Sequence, residues 1–573
     1  MKRNGDYRTM LRNMANEWKC IFSYVKNYKF ALFLYVILGL VATVMALGAT
    51  VAAKYLIDSV VNKANDKILT FGLLAIGLAI FQQVFQAIAS YINSLVSSRI
   101  INEIREDIYA RILGAQWEEI APYHSGDVLN RLETDVKVVS NAVVSFVPNL
   151  ITRLVQFFGA LTIVLYYDKT MALIALMGAP LLFISSRFLV KTIRRYSQQG
   201  RKINGEILSY SEETVQNLLT IKAFGLAKDY ISKFRTILKR YRKTKLAYEK
   251  FSILMTLMLS LSGLLVSYLC YGWGVYRLWQ GMITFGTMTL FIQLSGTLTS
   301  SFSSLASLLP LAVSTATSAG RIMELTKIPK EEDFDRESVN KILEKSKNTG
   351  VSVNFKNATF SYKYGKGNVV EKATFKINPG ETVAVIGASG EGKTTILKLL
   401  LGIMPVTEGE IFIETVDGEK VAVSDSTRRL YSYVPQGINI FSGTIKENLT
   451  TVRPNATDEE LQKAIKLVAL EGLIDSLPKG LNTVVNEQGS NFSQGQLQRI
   501  AIARALLKES MILLMDEATS ALDSATEKEI LENIMKSDPT KICIVTTHRE
   551  SILNYCDRVF KVENDGSVKE LKV

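Results

Sequence analysis

The nine residues GASGEGKTT, Gly387 to Thr395, hold the chemistry most easily read from this chain. Gly387, Gly390 and Gly392 let backbone N–H groups turn inward with no Cβ in the way, which is how a loop cradles phosphate. Lys393 supplies a point charge for β- and γ-phosphates. Thr394 offers a hydroxyl to Mg2+, and a helix beginning here adds the partial positive charge of its N-terminus. Ser389, Glu391 and Thr395 complete the run as candidate nucleotide contacts. An apolar strand, TVAVIG, leads into the loop and an apolar helix, ILKLLLGI, leaves it. That is the setting the GxxxxGK[ST] pattern requires.

A second stretch, MILLMDEATSALD, ends an apolar strand in two carboxylates. Asp516 can hold Mg2+ through water as the acidic partner of Thr394. Glu517, one residue on, can polarise an attacking water. An acidic pair after an apolar strand is by itself only a strand end; beside a phosphate loop it implies nucleotide hydrolysis.

These residues need elements to hold them, and the chain divides by composition. Of 573 residues 48% are apolar, and the long apolar runs fall almost wholly in the first 320. A span needs about 20 apolar residues, and six are expected: Phe30 to Leu56, Ile68 to Val96, Ala142 to Tyr167, Met171 to Val190, Ile253 to Trp279, and Phe285 to Val313. Short links (NKANDK, DKT, QGMIT) alternate with long charged ones, from Arg99 to about Val139 and from Lys191 to Lys250. The net charge of +13 sits mainly between apolar runs, as in VKTIRRYSQQGRK and LKRYRKTKLAYEK. Basic links flanking spans place that side, and with it both chain ends, in the cytosol; no nucleic-acid partner is needed to explain the charge. The long links are themselves helical: in INEIREDIYARILGA, Ile101, Ile104, Ile108 and Ile112 recur at three and four. The spanning helices should therefore run on into the cytosol, with tips near EEIAPYHSG and IKAFGLAKDY.

Cys20, Cys270, Cys543 and Cys556 lack metal-ligand spacing. The N-terminal stretch is polar and basic, without a cleavable leader. It is expected to lie on the membrane surface, with Trp18, Phe22 and Tyr24 among Arg8, Arg12, Lys19 and Lys26. The expected organisation is an amphipathic segment at 1–29, a six-span membrane domain at 30–325 and a linker at 326–350. A nucleotide-binding domain follows at 351–573, with strands alternating with helices around a mostly parallel sheet.

With both motifs on such a frame, the last domain resembles an ABC-type ATPase. The whole chain, from about Tyr24 to Lys561, resembles a bacterial ABC exporter half-transporter. The fold class this implies is a membrane α-helical six-span exporter domain plus an α/β P-loop ATPase domain, with ATP and Mg2+ as ligands. By the same resemblance, Gln436 in YVPQ is a Mg2+ and water ligand, His548 in TTH a γ-phosphate switch, and Tyr362 in ATFSYKYG the ring that stacks on adenine. Asp523 in SALD lies in a subunit-contact loop, Glu487 in NEQGS meets the helix tips, and those tips resemble coupling helices.

One motif departs from the family pattern. Where Leu-Ser-Gly-Gly-Gln is usual, this chain has Phe492-Ser493-Gln494-Gly495-Gln496. In the family the serine and glycine face the γ-phosphate held by a partner subunit, so Ser493, Gly495 and Gln496 would complete another chain's site. Gly495 is expected to allow close approach and to open the following helix. Gln494 is tolerable if its backbone angles are ordinary, and Phe492 keeps an apolar anchor. Because Glu517 and His548 are both present, the resemblance implies a homodimer with two active sites; the altered signature leaves a heterodimer open.

The resemblance to exporters implies outward transport of an amphipathic lipid, drug or peptide, from a plasma membrane with the ATPase in the cytosol. Gln82, Gln86, Ser90, Asn93 and Ser97 fall on one face of the second span, Arg153 lies within the third, and the sixth is rich in hydroxyls. Polar groups in a span face a bundle interior or a cavity. Gln82, Gln86, Asn93 and Arg153 are therefore candidates to line a slightly basic substrate cavity, with interhelical hydrogen bonding as the plain alternative. The rival function is a nucleotide-gated channel or sensor that uses ATP binding alone, for which Glu517 would have no use.

Overall fold

The computed structural model describes residues 16–19, 24, 26–176, 179–331, 336–363, 365, 367–388, 390–437, 439–486 and 489–571. They fall into two units, one of 1–114 with 120–328 and one of 115–119 with 329–573.

The first unit is helical: α1 (Lys29–Val61), α2 (Asn65–Leu113), the short α3 (Trp117–Ile120) that leads out of the unit and back, and α4 (Ser125–Asn130). A π-helical turn at Arg131–Asp135 leads into α5 (Val136–Tyr167). Then come α6 (Lys169–Leu176), α7 (Ala179–Gln216), the short α8 (Leu218–Ala223), α9 (Ala227–Trp279) and α10 (Phe285–Thr326). Helices of 49 and 53 residues (α2 and α9) exceed what a bilayer needs by a factor of about two. The spans thus continue as the isoleucine spacing predicts. Five helices are long and apolar enough to cross a membrane among the described residues, against six expected. The remaining stretch, Met171 to Val190, crosses residues 177 and 178, which lie outside the described residues.

Where these helices are most apolar their side chains point outward, as Phe30, Leu69, Leu73, Leu261 and Leu265 do. Lipid is an adequate solvent for them, so nothing drives them inward. The tight apolar core lies instead in the extensions. There Ile100, Ile104 and Ile108 pack on Val136, Val139, Val143, Ile322 and Leu325, with Ile101 and Ile112 half-buried beside them. At the π-helical turn the fully buried Asp135 accepts Arg201 Nη1 at 2.5 Å and faces Arg321 Nε at 3.3 Å. Two of the aromatics expected at the headgroups are engaged within the protein: Trp18 packs on Phe146 at 4.9 Å, and the Tyr24 hydroxyl donates to Asp107 Oδ2 at 2.7 Å. Phe22, Arg8 and Arg12 lie outside the described residues.

In the second unit, α11 (Arg336–Lys345) precedes β1 (Val351–Phe360), β2 (Val370–Ile377), β3 (Thr382–Ile386), α12 (Lys393–Leu400), β4 (Glu408–Thr415), β5 (Lys420–Ala422) and β6 (Tyr431–Val434). After these come β7 (Gly443–Thr444), α13 (Ile445–Thr450), α14 (Asp458–Leu467), α15 (Glu471–Ser476), β8 (Val484–Val485), α16 (Gln494–Leu507) and β9 (Ile512–Asp516). The last elements are α17 (Ser524–Ser537), β10 (Ile542–Thr546), α18 (Glu550–Leu553), β11 (Arg558–Val562) and β12 (Val568–Leu571).

The main sheet has the order β12-β11-β3-β10-β9-β6. It is parallel except for β12 at its edge. Its inner strands β9 and β10 are buried along their whole length, as continuous apolar runs in a two-sided parallel sheet must be. A second sheet, β2-β1-β4-β5, is antiparallel. The expectation of one mostly parallel sheet did not include it. No helix intervenes between β1 and β2, and parallel pairing needs a crossover. The segment 115–119 belongs to this unit: Ala115 bridges Lys330, and Lys363 Nζ donates to Glu119 Oε1 at 2.6 Å.

Candidate functional site

Four neighbouring parallel strands, β3, β10, β9 and β6, end side by side, and their carboxyl ends carry nearly every chemical residue singled out above. This is where open α/β sheets gather ligands. β3 runs into Gly387, β9 ends in Asp516, β10 leads through Thr546 to His548, and β6 leads to Gln436.

The loop after β3 takes the shape its glycines permit. Gly390 and Gly392 have φ of 89° and 104°, and a Cβ at Gly392 would lie 2.8 Å from Val369 Cγ1. Lys393 is buried, and its Nζ donates to the carbonyls of Gly387 and Ala388, each at 2.9 Å. Burial pushes this amine below the ordinary lysine range, against the pull of Glu517, Glu391 and Asp516. The Glu391 carboxylate accepts the Ala388 N–H. Ser389 lies outside the described residues.

Asp516 is 1% exposed. Its Oδ1 accepts the hydroxyls of Thr394 at 3.2 Å and Thr546 at 2.7 Å, and Tyr433 approaches Oδ2 at 3.5 Å. Burial, with the carboxylate beside it, pushes the Tyr433 hydroxyl upward. Thr394, Asp516 and Gln436 offer hydroxyl, carboxylate and amide oxygens, the hard donors that suit Mg2+.

Glu517 is held at both oxygens. Oε2 accepts Gln436 Nε2 at 2.7 Å, and Oε1 lies 3.0 Å from His548 Nε2. Its backbone N–H donates to Thr546 Oγ1 at 3.0 Å, and its φ is +48°, a left-handed angle uncommon for residues other than glycine. The sheet thus brings Lys393, Thr394, Gln436, Asp516, Glu517 and His548 into one connected group. Sequence reasoning missed Thr546, whose one hydroxyl serves Asp516 and the Glu517 backbone together; it stands two residues before His548, in the same TTH run.

Tyr362 is half-buried. Its hydroxyl shares a hydrogen bond with Thr395 Oγ1 at 3.0 Å, and its ring meets Phe360 edge-on at 5.0 Å.

The signature residues form a separate cluster. Ser493 caps α16: its Oγ accepts Gln496 N–H at 3.3 Å, while Gln496 Oε1 accepts Ser493 N–H at 2.9 Å. This reciprocal capping box is written in the Ser-x-x-Gln spacing. The helix opens at Gln494, one residue before Gly495. Gln494 is exposed and helical, and Phe492 packs against the apolar core. A Cβ at Gly495 would stand 3.0 Å from the Ala521 carbonyl oxygen, so within the chain the close approach is to the loop after Glu517. Gln498 holds that loop too, donating to Ser520 Oγ at 3.2 Å and accepting Ala521 N–H at 3.0 Å. Arg549 holds it from the other side through the carbonyls of Ser520 and Leu522, at 2.7 and 3.0 Å. Asp523 caps α17, accepting Thr526 N–H at 3.0 Å. The hydrogen bonds of Thr526 keep its carboxyl below the usual range. Among the described residues no hydrogen bond joins Ser493 or Gln496 to the phosphate loop. Glu487 lies outside the described residues.

In the helical unit the polar stripe divides. Ser97 donates to Asn141 Oδ1 at 2.8 Å, and Ser140 donates to the Ser97 carbonyl at 2.9 Å, so this end ties α2 to α5. Gln86 is exposed, Gln82 and Asn93 are half-buried, and Asn93 Oδ1 has no partner among the described residues. Arg153 is half-buried, its Nη1 donating to Gln156 Oε1 at 2.8 Å on its own helix. On α10, Thr297, Ser300 and Ser307 donate to carbonyls of their own helix.

Comparison with known proteins agrees with this architecture. Residues 32–302 match the family model described as ABC transporter transmembrane region, and residues 370–520 match the one described as ABC transporter. The chain is 30% identical over 479 residues to a putative export ATP-binding/permease protein of Rickettsia felis, covering 82% of this chain and 80% of that protein. It is 28% identical over 560 residues to a putative multidrug export ATP-binding/permease protein of Bacillus subtilis, covering 96% and 94%. Its fold is similar to that of a bacterial Atm1-family ABC exporter solved with ATP bound, with a TM-score of 0.81, 23% identity and 95% of each chain covered.

Proposed function

Because this chain belongs to the ABC transporter family, with a transmembrane region and an ATPase in one polypeptide, we propose that it is an ATP-driven exporter. It moves an amphipathic lipid, drug or peptide out of the cytosol or inner leaflet by alternating access. The observation that carries this reading is the Glu517 carboxylate, held between Gln436 and His548 and next to Asp516. A channel or sensor that used ATP only as a ligand would have no need of a carboxylate so placed.

In this reading the phosphate loop binds the β- and γ-phosphates of ATP, and Lys393 exchanges its two carbonyl partners for phosphate oxygens. Thr394, Asp516 and Gln436 would hold Mg2+, which neutralises phosphate charge when bound. Glu517 takes up the proton of the attacking water. His548 fixes the orientation of Glu517 and reaches the γ-phosphate. Tyr362 leaves Thr395 to stack on adenine. The Asp523 loop meets the partner subunit.

Ser493, Gly495 and Gln496 stand apart from the phosphate loop of their own chain, which supports their reading a partner's ATP. The working unit is then a dimer. The presence of Glu517 and His548 favours two identical chains in a bacterial plasma membrane with both ATPase domains in the cytosol. ATP draws these domains together, the helix tips follow, and hydrolysis resets the cycle. Gln82, Gln86, Asn93 and Arg153 line the cavity that carries the substrate.

The test is Glu517→Gln in proteoliposomes. The variant should bind ATP with unchanged affinity while steady-state hydrolysis falls by about 10²-fold or more. Normal multi-turnover efflux from that variant would overturn the hydrolysis-driven mechanism.

A further inference from the structure

Three carboxylates pull on the Lys393 amine: Glu517, Glu391 and Asp516. Asp516 and Glu517 have parts in the hydrolysis described above. Glu391 has none, and a negative charge is the wrong sign for a loop that cradles phosphate.

The backbone explains how a side chain comes to be there. Gly390 and Gly392 stand at φ of 89° and 104°, angles that few residues other than glycine adopt. Glu391 between them does not share that left-handed region. Position 391 is therefore where this turn admits a side chain without strain. The side chain is half-buried and runs back along the loop. Its carboxylate accepts the Ala388 N–H, and a Cβ on Gly387 would stand 2.8 Å from Oε2. Lys393 holds the same two residues by their carbonyls, at 2.9 Å each. One short stretch of the loop is thus braced by an anion on its amide side and a cation on its carbonyl side.

A bound nucleotide alters that balance. Its phosphates engage the Lys393 ammonium, and Glu391 then faces charges of its own sign from within the same loop. In a partly buried site that repulsion is several times stronger than in water. Its size depends on the form of the nucleotide. Without metal, the full phosphate charge meets the carboxylate; with Mg2+ bound, much of it is cancelled.

We propose that Glu391 is a selectivity residue of the phosphate loop, whose carboxylate turns away metal-free nucleotide and so favours the Mg2+-bound form. The idea rests on the loop being the nucleotide site, and the measurement below separates failure of the one from failure of the other.

The full-length protein is titrated with the β,γ-imido analogue of ATP, which is not hydrolysed, once with excess Mg2+ and once with EDTA. The quantity read is the Kd without Mg2+ divided by the Kd with it. E391Q removes the charge while its amide oxygen can still accept the Ala388 N–H, and the ratio should fall about fivefold or more, chiefly through tighter Mg2+-free binding. E391A should lower it as far. E391D keeps the charge and should stay within about twofold of the wild type. A wild-type ratio in E391Q would overturn the proposal, and if E391A does not fold, E391Q decides alone. An equal loss in E391D would overturn it too, because the effect would then follow the shape of the loop and not its charge. A wild type that binds the analogue under neither condition would instead remove the nucleotide site itself, and this selectivity with it.

Discussion

Glu517 and His548 meet at 3.0 Å, with the glutamate on a left-handed backbone angle. Such an angle costs of order 1–3 kcal/mol and persists only where surroundings impose it. Here Thr546 fixes the Glu517 backbone, and Gln436 and His548 fix its carboxylate. His548→Ala frees one oxygen. ATP affinity should stay within about threefold, while kcat falls by roughly 10- to 100-fold. Steady-state hydrolysis over a range of ATP concentrations separates the two.

Thr546→Val removes one hydroxyl and with it one of two hydrogen bonds at Asp516 Oδ1, which keeps Thr394, and at the Glu517 N–H, which keeps the Thr546 carbonyl. A hydrogen bond lost where another partner remains costs about 0.5–1.5 kcal/mol. The variant should unfold at lower temperature than the wild type and need more Mg2+ for half-maximal hydrolysis. An unchanged Mg2+ dependence would show that Asp516 does not depend on this threonine.

The odd signature yields a paired prediction. Gln494→Gly restores the commoner residue at an exposed first helical position, so hydrolysis should change by less than about twofold and stability by under about 1 kcal/mol. Gly495→Ala puts a methyl 3.0 Å from the Ala521 carbonyl oxygen. A displaced Ser520–Leu522 loop should lower hydrolysis at least severalfold. The ATPase rates of the two variants, measured side by side, decide which position matters.

Burial pushes the Lys508 amine below the ordinary lysine value, while its Nζ donates to the carbonyls of Arg428 and Tyr431. Between the depressed value and about 10.4, the unfolded chain holds more protons than the folded one. Unfolding free energy from this group therefore rises with pH across that window. Lys508→Met should make the pH dependence less positive there. Denaturant unfolding of the full chain at a series of alkaline pH values, wild type against variant, reads the difference.

In the helical unit, Arg153→Ala should weaken binding of an anionic amphipath severalfold and leave a neutral one unaffected. Ser97→Ala cuts the hydrogen bond to Asn141 and should lower thermal stability without changing substrate choice. Substrate-stimulated ATPase activity and a melting curve separate these roles.

The sequence made the nucleotide residues legible because each motif is local: the loop 387–395, the pair 516–517 and the run ending at His548 are short and sit at strand ends. What joins them is not local. Thr546 acts through neighbours 30 residues away, and Gln498 and Arg549 grip one loop from opposite sides of it. No spacing rule announces such contacts, since only the sheet order brings them together. The antiparallel sheet was hidden for a similar reason, because strand pairing is set by connections rather than by the residues of any one strand. In the helical unit, periodicity finds the long extensions, but the Ser97 side chain's partner, Asn141, lies on another helix, and no spacing along the chain announces it.

The strand order β3-β10-β9-β6 also sets a timetable. A ribosome makes Lys393 roughly 150 residues before it makes Thr546, and chains are translated from the N-terminus at about 5–20 residues per second. The strand that must slide between β3 and β9 is the last of these four to emerge. For a few seconds, while the roughly 30 residues from Glu517 to Thr546 are made, the nascent chain has its phosphate loop and its carboxylates but no β10 to set them against each other. A truncated product that stops short of Thr546 therefore has no means of assembling the pocket.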